Sequence, residues 1–100
     1  MTMTMIEVIL GGNGVISPTQ LPQLLARLPE AGGVEPIVLS GRLPVWAYSA
    51  IVHHFHPRPW VATFEPRLGK AVVVASHIPN RQVGDVVDVE GHGKVTVTFP

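Results

Sequence analysis

A chain of 100 residues with zero formal net charge, 46% apolar and 14% charged residues is of single-domain size, and one domain over 1–100 is expected. The apolar content excludes disorder, the neutral charge disfavours duplex DNA as a partner, and the lack of cysteine excludes disulfide and thiolate chemistry, as fits a cytoplasmic protein. No apolar run approaches the roughly 20 residues of a membrane helix, and Met1 to Leu10 has neither the basic leader nor the cleavage pattern of a signal peptide.

In chain order, Met5 to Leu10 is a β-prone run that stops at Gly11-Gly12-Asn13-Gly14, a strong turn signal. Ser17 to Leu28 switches to helical spacing, with Leu21, Leu24, Leu25 and Leu28 on one stripe. Ser17 and Gln20 resemble a capping box with Pro18 at the first helical position. Pro22 conflicts with that start, and a start at Thr19 removes the conflict by moving Pro22 into the first turn. Pro29 and Gly32-Gly33 end the helix. Pro36 to Leu39 is a continuous apolar run, as expected of a buried strand. A second helix is expected from Pro44 to about His56, stopped by Pro57. Trp60 to Phe64 and Ala71 to Ala75 are strands around a turn at Pro66 to Gly69. Val86 to Val89 and Val95 to Phe99 flank Gly91-His92-Gly93 and predict a terminal hairpin, with His92 a turn residue. The order β-α-β-α-β-β plus hairpin predicts a small mixed α/β sheet with two helices, in two or three layers; a ferredoxin-like α+β arrangement is the alternative.

Polar chemistry is concentrated in two runs, 40–46 and 53–69, which together hold three histidines, three arginines and both tryptophans. A strand followed by Ser40-Gly41-Arg42 and a helix start at Pro44 supplies the parts of an anion site. Gly41 permits close backbone approach, the helix start offers free N–H groups, and Arg42 offers a forked donor. An ordinary turn with a solvated arginine is the plain alternative. His53, His54 and His56 lie near a helix end, and His53 and His56, three apart, share a face. They suit acid–base chemistry, with a histidine at a helix C-terminus as the plain alternative; two nitrogens without a third ligand make a weak metal signal. Glu65 and Arg67 read either as a carboxylate that orients a histidine beside a phosphate-binding guanidinium, or as a surface ion pair. His77 follows a strand and can return to the same sheet end. Gly12-Asn13-Gly14 is an incomplete dinucleotide fingerprint, and no P-loop or nucleophile elbow occurs.

Taken together, these runs closely resemble the small CRISPR-associated ring nucleases of type III systems, the third family to bear that name. Its members show Ser-Gly-Arg, a Pro-x-Trp step, a histidine-rich helix end and an Asp-Pro-Arg-Leu-Gly turn. The matching positions are Ser40-Gly41-Arg42, Pro44-Val45-Trp46, His53, His56, Pro66-Arg67-Leu68-Gly69, Ser76-His77 and Gly84-Asp85-Val86, over about Val38 to Asp88. The resemblance implies a fold similar to the Rossmann-like nucleotide-sensing domains of CRISPR effectors. It also implies binding and cleavage of cyclic tetra-adenylate, the second messenger of type III defence, which switches the effectors off. It implies His56, Glu65 and Arg67 as catalytic residues, and Ser40, Gly41, Arg42, Pro44, Trp46, His53 and His77 as ligand-binding residues. A homodimer, paired dimer-on-dimer around the ring so that catalytic residues come from opposing dimers, is implied as well. Some members are manganese-dependent and act on RNA 3′ ends, so Mn2+ and a deadenylating exoribonuclease activity enter as expectations. The family's aspartate is Glu65 here, which leaves a ring-sequestering protein as an alternative. Lys70 looks like an added residue that either displaces the approach to His77 or lengthens the loop.

Overall fold

Two helical and six β-prone stretches form the elements of the computed structural model, which describes residues 3–90 and 92–100. They are β1 (Thr4–Leu10), α1 (Leu21–Ala26), β2 (Ile37–Ser40), α2 (Val45–His54), β3 (Trp60–Glu65), β4 (Lys70–Ser76), β5 (Val86–Val87) and β6 (Gly93–Phe99). One six-stranded sheet results, in the order β5-β4-β3-β2-β1-β6. The pairs β1–β2, β2–β3 and β1–β6 are parallel; β3–β4 and β4–β5 are antiparallel. The parallel centre confirms the mixed α/β sheet and excludes the ferredoxin-like alternative, whose neighbouring strands run antiparallel.

Both helices pack on one face. Leu24 of α1 with Ile51 of α2 and Phe55 after it meet Ile6, Val8, Ile37, Leu39, Val61, Val97 and Phe99 from the strands. The other face buries Val38, Trp60, Ala62, Ala71, Val73 and Val87, with Ile78 and Val89 of the β4–β6 connections packed on them. The layering is therefore helix on sheet, with irregular chain on the far side. Trp60 lies in this second cluster, 4% exposed, and so belongs to the core rather than the working surface.

The first helix is shorter than its leucine spacing predicts. Pro18–Gln20 forms a 3-10 turn, and the α-helix begins at Leu21, which puts Pro22 in the first turn. There its missing N–H leaves no internal bond unmade. The Gln20 half of the capping box is present, its Oε1 accepting the Ser17 N–H at 2.8 Å. The connection to β2 is held by Arg58, which is buried. Its guanidinium donates to the carbonyls of Glu30, Ala31 and Glu35 at 2.6, 3.1 and 3.1 Å.

The terminal hairpin does not form. β5 and β6 lie at opposite edges of the sheet, and β6 runs parallel to β1 over the whole of that strand, Thr4↔Gly93 to Leu10↔Phe99. Gly91, in the predicted turn, lies outside the described residues. Seven residues of ladder against β1, with Val97 and Phe99 reaching the helix-side core, outweigh what a two-residue β5 could pair. Arg27, the residue after α1, seals the arrangement, donating to the Thr98 carbonyl at 3.2 Å and lying over the Phe99 ring.

Candidate functional site

β1, β2 and β3 are parallel, so their carboxyl ends share one edge of the sheet, where ligands of open α/β sheets bind. A cavity of about 750 Å³ opens there. Ser40, Gly41 and Arg42 line one side, the Gly12-Asn13-Gly14 loop lines another, and Tyr48, Phe64 and Pro66 complete it. The glycine loop that read as a weak dinucleotide fingerprint thus faces the Ser-Gly-Arg loop across one cavity.

Gly41 has a stringent reason to be glycine. Its φ is +146°, and a Cβ there would sit 2.5 Å from the Val8 carbonyl oxygen. The loop leaving β2 therefore lies directly against β1. Tyr48 of α2 braces it, its phenol donating to the Gly41 carbonyl at 2.5 Å. Burial raises the Tyr48 pKa above its ordinary 10.0, which keeps the phenol a donor at neutral pH. Arg42 is exposed and enters no ion pair among the described residues. Pro44 is the N-cap of α2 rather than its first helical residue, and neither it nor Trp46 lines the cavity; Trp46 is 37% exposed on the helix.

Glu65 and Arg67 stand at the same edge, where β3 turns into β4. They do not form an ion pair. The Glu65 carboxylate instead accepts the backbone N–H of Arg67 at 2.9 Å and braces the turn, which Gly69 closes at φ +65°. The Arg67 guanidinium stays exposed and clear of its neighbouring carboxylate. Lys70 is the first residue of β4, paired opposite Glu65 and ion-paired to Asp88 at 3.3 Å. β4 carries one residue more than β3 beside Val61 and Ala62. The irregularity absorbs it and keeps Trp60 opposite Ser76, so His77 still leaves β4 at the level where β3 begins.

The histidines collect at the opposite edge. α2 leads from the carboxyl end of β2 back to the amino end of β3, so its last turn and the residues after it lie where β3 starts. The helix ends at His54, and His56 sits in the turn beyond. His54 is structural, its Nε2 lying 3.2 Å from the Pro29 carbonyl. His53 and His56 do share a side, rings near parallel with centroids 6.3 Å apart. His77 reaches His56 from the end of β4, with ring centroids 4.6 Å apart. Among the described residues no group of three or more His, Asp or Glu side chains is placed to hold a metal ion.

The predicted residues thus fall into two groups. Ser40, Gly41, Arg42, Glu65 and Arg67 stand at one edge, and His53, His56 and His77 at the other. β3 separates them, and its six residues span about 20 Å. Sequence reading overlooked Tyr48 as part of the site. The one available signal is its position four residues after Pro44, on the same side of the helix start as the Ser-Gly-Arg loop.

Fold and site define a small parallel-centred α/β domain with an anion-suited cavity at its strand ends. Residues 9–88 match the model of a family described as CRISPR-associated protein (Cas_csx3), and the chain belongs to this CRISPR-associated family. The match runs from the end of β1 to the residue after β5 and takes in both the Ser-Gly-Arg loop and the histidines. A protein of Aquifex aeolicus (strain VF5) that carries only the description "uncharacterized protein" is 56% identical over 55 residues, 55% of this chain and 50% of that protein. The chain thus spans about half the length of that relative. Among the described residues no helix is long and apolar enough to cross a membrane.

Proposed function

We propose that the protein binds cyclic tetra-adenylate at the strand-end cavity and opens the ring, ending type III CRISPR signalling in the cytoplasm. Ring opening needs no external nucleophile. A ribose 2′-oxygen attacks the adjacent phosphorus as the bond to the 5′-oxygen breaks, giving a 2′,3′-cyclic phosphate. The 2′-hydroxyl gives up one proton and the leaving oxygen takes one. Alignment, proton transfer and charge on the phosphorane are what a protein can supply. Ser40, Arg42 and the backbone at Gly41 suit the holding of phosphate, Arg67 suits the phosphorane, and His56 suits proton transfer.

One observation carries the assembly. His56 and Arg67 are a strand length apart, so one protomer cannot bring both to the same phosphate. A ring gripped between copies, with the carboxyl edge of one facing the histidine edge of another, brings them together, and a symmetric ring suits a symmetric assembly. Self-association is further supported by Val45, Val74 and Val86, exposed at 82%, 41% and 51% on the helix side of the sheet.

Labelled cyclic tetra-adenylate, incubated with and without Mn2+ beside a linear A-tailed RNA, tests the reading. Ring opening abolished by His56→Ala is the expected result. A tight complex without product would replace it with sequestration, the reading favoured by the engagement of the Glu65 carboxylate in its own turn. Shortening of the linear RNA alone would point to a manganese-dependent exoribonuclease. Absence of binding would refute the proposal.

A further inference from the structure

The contact between His56 and His77 joins residues 21 apart in sequence, and it fixes where protons sit. Nε2 of His77 lies 2.8 Å from the backbone carbonyl oxygen of His56 and 3.3 Å from its ring Nδ1. A carbonyl oxygen only accepts, so Nε2 of His77 bears a hydrogen. That N–H also faces Nδ1 of His56, which must then present its lone pair. The proton of neutral His56 consequently resides on Nε2, across the ring. His77 is itself anchored, its backbone N–H donating to the Pro59 carbonyl at 2.8 Å. His53 stacks on His56 and, among the described residues, makes no hydrogen bond to it.

We infer that His77 is a positioning residue that holds His56 in its Nε2–H form and thereby makes it the acid of ring opening, not the base. This rests on the ring-opening reading above. With one extra proton on the pair, carried by His77 as imidazolium, the step balances. The 2′-oxygen bonds to phosphorus and its proton passes to solvent water. The bond from phosphorus to the 5′-oxygen breaks, and that oxygen takes the Nε2 proton of His56. Nδ1 of His56 takes the Nε2 proton of His77, leaving both imidazoles neutral. Solvent then restores the proton to the pair.

The test has two arms. Long-range 1H–15N spectra of protein labelled at histidine, recorded without ligand, report which nitrogen of His56 is protonated. Wild type shows Nε2–H with a free Nδ1, and His77→Phe shifts His56 toward a tautomer mixture. His77→Gln, whose amide can donate to the same atoms, restores the wild-type pattern. Because the His77 side chain is exposed and its backbone bond is retained, all three proteins fold. In turnover of labelled cyclic tetra-adenylate, His77→Phe lowers kcat about 10-fold or more with KM unchanged, and His56→Ala lowers it about 10²-fold. A ring with sulfur in place of the bridging 5′-oxygen, whose leaving group needs no acid, erases most of both defects. Nδ1–H on His56 in wild type, or defects that persist with the sulfur ring, overturns the proposal. Wild type that cuts neither ring refutes the ring-opening reading, while the spectra still decide whether His77 sets the His56 tautomer.

Discussion

Mixing two inactive variants is expected to restore activity. His56→Ala removes the proton donor at one edge of the sheet, and Arg67→Ala removes the phosphorane contact at the other. Each alone costs on the order of 10²-fold in kcat, the usual worth of a general acid or of one charge-stabilising donor. β3 keeps the two positions about 20 Å apart within a protomer, whereas a hydrogen bond to a shared phosphate requires each at about 3 Å. On the proposed reading, a working site takes Arg67 from one copy and His56 from another. In an equimolar mixture that exchanges subunits freely, about one such site in four carries both native residues. The mixture should therefore cleave labelled cyclic tetra-adenylate at about a quarter of the wild-type rate, more than ten times either variant, followed as linear product on denaturing gels. Subunit exchange is checked by native mass spectrometry of variants differing in a tag. A mixture that exchanges subunits yet stays at the mean of the two variants would refute a site shared between copies.

Other expectations follow from single contacts. Gly41→Ala forces a Cβ against the Val8 carbonyl in a left-handed backbone, so chemical denaturation should show a loss of about 2–3 kcal/mol, together with loss of ring binding. Arg58→Ala strips one buried cation from three carbonyls and should cost about 2–4 kcal/mol; Arg58→Lys should recover only part, because an ammonium lacks the planar fork. Tyr48, its pKa raised by burial, binds its proton more tightly folded than unfolded. Its contribution is complete below pH 10.0 and lost as pH rises through the folded value, so denaturation midpoints should fall at alkaline pH, and less so in Tyr48→Phe. Glu65→Asp shortens the carboxylate by one methylene and should raise kcat, by up to about 10²-fold, without tightening the complex.

Much of the fold was legible in the sequence because local patterns encode it. The leucine stripe, the continuous apolar runs and the Gly/Pro punctuation located all the elements to within a few residues, and the α-β alternation implied a parallel centre. The Ser-Gly-Arg loop at a strand end followed from the same order. Pairing partners were not legible in that way. A β-prone run states which residues face a core but not which strand it joins, so Val95 to Phe99 read as the second strand of a hairpin. The open edge of β1, set by the rest of the sheet, claimed it instead.

The division of the site is the other decision left to tertiary structure. In sequence, 40–46 and 53–69 are neighbours and read as one working surface. The ten residues of α2 carry the chain about 15 Å back across the sheet, and β3 returns it. Neighbouring motifs therefore alternate between edges, the Ser-Gly-Arg loop and Arg67 at one and the histidines at the other. The sequence by itself determined the chemistry available: serine and arginine at a glycine turn, histidines at a helix end, a Glu-Pro-Arg turn. Only the folded chain decided that His77 touches His56, 21 residues away, and that Arg67 does not. Side-chain period assigns a residue to a face, while the direction of each strand assigns it to an end, and the ends exist only once the strands have paired.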